Sequence, residues 1–139
     1  MTLQLRHDHV GISVTPEDLD ATIDWYAGNL GFREDRRFES HGTTFVFIVN
    51  GTVKIELVAG AANRQPPTRD VLHSMDPSRL HHFCVAVDDL DAALVHLRER
   101  GVEPIGGPME VTAIGQRIAF VTDNVGTIIE LTAPGTGQS

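Results

Sequence analysis

His9-Val-Gly-Ile-Ser-Val14 is echoed by His82-Phe-Cys-Val-Ala-Val87, each a histidine leading an alternating apolar run, at an offset of 82 − 9 = 73. Working outward, Asp18-Leu-Asp-Ala21 is matched by Asp89-Leu-Asp-Ala92 (89 − 18 = 71), and Ile55-Glu-Leu57 by Ile129-Glu-Leu131 (130 − 56 = 74). Three landmarks in the same order at nearly constant offset mark an internal duplication. A chain of 139 residues has room for one well-buried body but not for two ordinary independent domains. Residues 1–139 are therefore expected to form a single domain of two modules, 5–59 and 80–134, joined by a connection over 60–79.

The local signals repeat too. Thr15 is placed to cap a first helix with Pro16 at its first position, and Leu19, Ile23, Tyr26 and Leu30 recur as one apolar face until Gly31 ends it. In the second helix Leu90, Leu94 and Leu97 form the stripe, Arg98 and Arg100 suit the negative end of the dipole, and Gly101 is the stop. Three β-rich runs follow each helix, at about 32–39, 44–49 and 52–58, then 103–111, 117–122 and 127–132. Asn50-Gly51 is a hairpin signal. Pro66, Pro67 and Pro77 mark the connection, and the tail from Pro134 is expected to fray. Each half reads as β-α-β-β-β, which makes the class α+β.

Hydrophobic residues at 41% and charged residues at 22% fit an average globular chain and exclude disordered and fibrous classes. The net charge is 11 − 19 = −8, and only Arg33, Arg36 and Arg37 cluster, so nucleic acid is not an expected partner. Cys84 stands alone, which rules out an intrachain disulfide or a Cys-rich zinc site and suits a reducing compartment. The opening Met-Thr-Leu-Gln-Leu-Arg-His-Asp lacks the apolar core of a signal peptide or membrane span. A cytoplasmic protein with no membrane partner is expected.

Strand parity then selects a set of residues. Val10, Ile12 and Val14 share the face that must pack beneath a helix, which leaves His9 on the other; likewise Phe83, Val85 and Val87 leave His82 opposite. Ile55 and Leu57 set Glu56 on the face away from the helix, and Ile129 and Leu131 do the same for Glu130. A carboxylate centred in an apolar strand is costly unless solvated, paired or bound to a cation, and here it occurs twice at equivalent places. The alternative is a polar outer face turned to water. A repeat in phase favours His9, Glu56, His82 and Glu130 gathered round one divalent ion, a two-nitrogen, two-oxygen set suited to Ni²⁺, Co²⁺ or Zn²⁺ and acceptable to Mn²⁺ or Fe²⁺.

These stretches, with Trp25-Tyr26 before Leu30-Gly31-Phe32 and His81-His-Phe-Cys-Val-Ala-Val-Asp-Asp-Leu-Asp91, resemble the vicinal oxygen chelate superfamily from His7 to Pro134. That superfamily includes glyoxalase I, methylmalonyl-CoA epimerase, extradiol dioxygenases, fosfomycin-inactivating enzymes and bleomycin-binding proteins. The resemblance implies a glyoxalase-like fold, with two modules forming a cupped eight-stranded mixed sheet, and places His9, Glu56, His82 and Glu130 on the four metal-ligand positions. Glu56 looks like glyoxalase I, whereas His81-His82 and Val87-Asp-Asp-Leu-Asp-Ala92 look like the epimerase. The epimerase carries a further catalytic carboxylate on the strand where this chain has Thr44, Phe45 and Phe47.

Both relatives remove a proton beside a carbonyl. The resemblance therefore implies a metal-dependent lyase, isomerase or epimerase that passes through an enolate, with Glu130 as base and Glu56 as its partner. Two alternatives are an antibiotic- or metabolite-sequestering protein of the bleomycin-resistance type and an iron-dependent extradiol-type dioxygenase. Thr44, Phe45, Phe47 and Arg117 are expected to contact a small-molecule substrate. His7, His41, His73, His81 and His96 are expected at the surface or in support of the site, and a homodimer is the expected assembly.

Overall fold

A computed structural model describes residues 2–136, and the chain falls into two compact units, Met1–Arg64 and Gln65–Ser139. The first unit runs β1 (Val10–Ser13), α1 (Leu19–Leu30), β2 (Arg33–Ser40), β3 (Thr43–Asn50) and β4 (Val53–Ala59). The second runs α2 (Val71–Ser74), β5 (Phe83–Ala86), α3 (Leu90–Arg98), β6 (Gly106–Val111), β7 (Gln116–Thr122) and β8 (Ile128–Pro134). The eight strands hydrogen-bond as two four-stranded mixed sheets, in the orders β1-β4-β3-β2 and β5-β8-β7-β6. In each, the first strand pairs in parallel with the last and the remaining pairs are antiparallel. The α+β class and the duplicated β-α-β-β-β order are thus present.

The apolar stripes do the packing. In the first unit Leu19 and Tyr26 of α1 are buried with Ile12, Val14, Val46, Ile48, Ile55 and Leu57, and Tyr26 meets Phe32 edge-on at 5.5 Å. In the second, Leu90, Leu94 and Leu97 of α3 are buried, as are Ala119, Val121, Ile129 and Leu131. Burial of a leucine side chain contributes roughly 1.5–3 kcal/mol, so each stripe outweighs the modest propensity of its short helix.

The first helix stops at the glycine expected, Gly31 (φ 69°), where the left-handed conformation lets the backbone turn; α3 instead ends at Arg98 with Glu99 as its cap, and Gly101 (φ 82°) lies in the turn beyond it. The start of the first helix differs from expectation. Pro16–Asp18 form a 3-10 turn, α1 begins at Leu19, and the Thr15 hydroxyl bonds the Asp18 carboxylate (2.9 Å) instead of a backbone N–H. The carboxylate wins because Asp18 is buried and held by Arg64, whose Nε donates to the same oxygen, Oδ2, at 2.7 Å and whose Nη2 donates to Oδ1.

The connection over 60–79 contains α2, capped by Asp70, whose carboxylate accepts from the His73 N–H at 2.8 Å. The expected fraying is corrected for Pro134–Thr136: Pro134 ends β8, Gly135 N–H donates to the Gly115 carbonyl at 2.8 Å, and Thr136 N–H donates to Glu110 at 3.0 Å. The rest of that tail lies outside the described residues.

Candidate functional site

In the first unit Glu56 lies opposite Gly11 on one side and Phe47 on the other, so the β1, β4 and β3 positions facing away from α1 converge here. His9, just before β1, brings its Nε2 to 3.6 Å from Glu56 Oε1. Its ring meets Phe47 edge-on, with centroids 5.4 Å apart at 82°. The second unit repeats the arrangement: Glu130 lies opposite Cys84 and Phe120, His82 Nε2 is 3.8 Å from Glu130 Oε2, and His82 meets Phe120 edge-on at 5.5 Å and 84°. The exposures match as well, 32% and 20% for the first side-chain pair and 32% and 18% for the second.

Each histidine is supported from behind, but differently. His9 Nδ1 meets Asp8 Oδ2 at 2.7 Å; a carboxylate only accepts, so this nitrogen carries a proton, and in the neutral ring the lone pair is at Nε2, toward Glu56. The same hydrogen bond is the main reason the Asp8 carboxyl sits below its ordinary range, with Lys54 adding to it. His82 Nδ1 instead meets His81 Nδ1 at 2.8 Å, and His81 Nε2 meets Ser74 Oγ at 2.7 Å. Burial, then the charges of His82 and Arg79, hold the His81 imidazole below its usual value.

The donor chemistry fits a divalent ion. A nitrogen lone pair and a carboxylate oxygen facing each other at 3.6–3.8 Å are too far apart to share a hydrogen bond. Two donor atoms bound at about 2.1 Å to one ion, at angles from octahedral to open tetrahedral, stand roughly 3.0–3.6 Å apart, close to the spacing seen. Each unit supplies one such nitrogen-oxygen pair. No group of three or more His, Cys, Asp or Glu side chains among the described residues is close enough to hold an ion by itself.

Of the expected substrate contacts, Phe45 and Phe47 share the Glu56 face, where Phe38 of β2 stacks on Phe45 at 5.0 Å. Thr44 and Arg117 do not lie where expected. Thr44 falls on the other face by register, alongside Val46 and Ile48, and its hydroxyl donates to Glu39 at 3.4 Å. Arg117 is three residues from Phe120 and so faces the α3 side, where Asp91 of that helix meets it at 3.1 Å and Glu110 at 3.7 Å.

Cations on the Glu56 face come from residues that the sequence pattern did not assign to the site. Lys54 shares parity with Glu56 and sets its Nζ 4.5 Å from the Phe47 ring centre and 3.9 Å from Asp8. Arg36 lies directly opposite Phe47 on β2 and, unlike Arg33 and Arg37, has no acidic partner among the described residues. The equivalent positions in the second unit are Ile128 and Gly106, so only the first unit's face carries these charges. Phe120 was also missed, although 47 + 73 = 120 by the offset that pairs the histidines.

Cys84 retains exposed surface, yet its thiol is pushed up to about 12, first by the protein packed round the sulfur and then by the hydrogen bond and charge of Glu130. No helix among the described residues is long and apolar enough to cross a membrane.

The family model described as glyoxalase/bleomycin resistance protein/dioxygenase superfamily matches residues 8–120. An ethylmalonyl-CoA/methylmalonyl-CoA epimerase of Cereibacter sphaeroides is 31% identical over 131 residues, which cover 91% of this chain and 96% of the relative. The human mitochondrial methylmalonyl-CoA epimerase is 28% identical over 130 residues, covering 91% of this chain and 72% of the relative. Among solved structures, a glyoxalase family protein from Bacillus cereus superposes with a TM-score of 0.73 at 20% identity, over 96% of this chain and 97% of that one. That last likeness bears on the fold alone.

Proposed function

Because the chain belongs to the glyoxalase/bleomycin resistance protein/dioxygenase superfamily, we propose that it is a metal-dependent epimerase, isomerase or lyase acting on a small carbonyl compound through an enolate. The observation that carries this reading is the repeated His-Phe-Glu set, with nitrogen and carboxylate facing each other at 3.6 Å in one unit and 3.8 Å in the other. His9, Glu56, His82 and Glu130 would be the metal ligands, with Ni²⁺, Co²⁺ or Zn²⁺ the best-suited ions. When bound, the ion supplies positive charge for the oxygen that becomes anionic as the enolate forms.

The chain's own residues do the rest. Glu130 takes the proton from the carbon acid, and Glu56 is its partner carboxylate. His9 and His82 hold their places without moving protons. Phe47 and Phe120, packed edge-on against the two histidines, keep water from the carbanionic carbon. Lys54 and Arg36, beside Phe47 and the Phe38–Phe45 stack, suit a negatively charged part of an acyl substrate. The similarity to malonyl-type epimerases favours that branch and a 2-carboxyacyl thioester as first substrate to try. A cytoplasmic homodimer completes the proposal, and sedimentation of the purified chain tests the assembly.

The test joins metal analysis with isotope exchange. Protein purified without added metal should carry nickel, cobalt or zinc, and in D₂O should place deuterium at C2 of methylmalonyl-CoA. Glu130→Gln should keep much of the metal and slow exchange by about 10²–10⁴-fold. Full exchange in that variant, or a chain that takes up no divalent ion, overturns the proposal.

A further inference from the structure

The two histidines of the repeated sets match closely in exposure, ring contact and distance to the carboxylate, and differ in what stands behind them. His9 has a carboxylate there, which fixes its tautomer directly. Behind His82 is a second imidazole, which could in principle accept or donate, so its direction must be read from what lies beyond.

That direction is determined by Ser74, which is 2% exposed. Its Oγ lies 2.5 Å from the Val71 carbonyl oxygen, an atom that only accepts, so the hydroxyl hydrogen points to Val71. Oγ must then accept from the third group, His81 Nε2, at 2.7 Å. With its proton on Nε2, His81 offers a lone pair at Nδ1, and the 2.8 Å contact there requires His82 Nδ1 to donate. The donors run in one direction, from His82 to His81 to Ser74 to Val71, each N–H or O–H meeting one acceptor. The segment holding Ser74 is itself anchored: Asp70 caps α2, and Arg79 Nη2 donates to the Ser74 carbonyl at 3.2 Å.

We propose that His81 and Ser74 are positioning residues that fix His82 in the Nδ1–H tautomer, so that its Nε2 lone pair is presented toward Glu130 as a metal donor. In this role His81 and Ser74 do for the second unit what Asp8 does for the first, through a relay of neutral groups. This rests on the reading of His82 as a ligand. A ligating histidine whose other nitrogen loses its partner is loosened in both tautomer and orientation, at a cost of about 10–100-fold in metal affinity.

The experiment reads the tautomer in the metal-free full-length protein by long-range ¹H–¹⁵N correlation, and zinc affinity by competition with a chelator. Wild type should show His82 protonated at Nδ1 and bare at Nε2. H81L should mix the two tautomers and weaken zinc binding by about tenfold or more, and H81N, whose amide oxygen can accept in place of the His81 nitrogen, should restore both. S74A, which leaves the His81 imidazole in place but unanchored, should fall between. A wild-type His82 protonated at Nε2, or a tautomer unmoved by H81L, overturns the proposal. Should wild type show the expected tautomer and the expected response to H81L yet bind no zinc, the positioning stands and the proposed metal-dependent function falls.

Discussion

Cys84 offers a direct report on Glu130, because it is the chain's single cysteine and lies opposite that carboxylate on the neighbouring strand. Its thiol is pushed from an ordinary value of 9.0 up to about 12. Only the thiolate reacts with an alkylating agent, so at pH 8 a thiol with pKa 9 presents about a tenth of its molecules and one at 12 about one in ten thousand. Water at the exposed edge screens part of this, and alkylation should run about 100–1,000-fold slower than that of a free cysteine peptide. Stopped-time labelling of the metal-free protein with iodoacetamide, read by intact-protein mass, measures the rate. Glu130→Gln removes the carboxylate's two contributions but not the burial that leads them, so labelling should speed up while staying below the peptide rate. Labelling of wild type within threefold of the peptide, or no change in Glu130→Gln, would refute the placement of the thiol against this carboxylate.

Other outcomes follow from the same geometry. Leu97→Ala, at a position 1% exposed on α3, should cost about 2–5 kcal/mol in urea unfolding. Asp18 has a carboxyl held below 3.8, chiefly by its hydrogen bonds from Arg64. Its contribution to stability is therefore complete above that value and is lost as pH falls through the lowered one. Arg64→Met, in which burial raises the carboxyl instead, should begin acid unfolding at higher pH by circular dichroism, and an unchanged midpoint would contradict the pairing. His9→Ala and His82→Ala should each weaken divalent-metal binding by tenfold or more in calorimetry. Lys54→Met with Arg36→Met should raise KM for an anionic acyl substrate more than it lowers kcat; an unaffected KM would remove these cations from the substrate's path.

Much of this is legible in the sequence. The duplication, the two helices, the glycine stop of the first and the alternation of every strand depend on neighbours in the chain, and periodicities of two and 3.6 residues are written locally. Parity alone set His9, Glu56, His82 and Glu130 away from the helices, because the apolar residues flanking them had to be buried. The offset of 73 would also have reached Phe120 from Phe47, had it been applied to aromatic residues.

What the sequence left open is what touches what across strands. Alternation in β7 says that Arg117 and Phe120 face opposite ways, but only the register against β8, with Phe120 opposite Glu130, tells which way each goes. Arg117 was thereby assigned to Asp91, and the cations beside the site became Lys54 and Arg36, both set by cross-strand pairing with β3. The start of α1 was decided by Arg64, 46 residues away from Asp18, and the support behind His82 by Ser74 on a helix within the connecting stretch. Periodicity is a property of adjacent residues, whereas pairing between distant ones exists only once the backbone has brought them together.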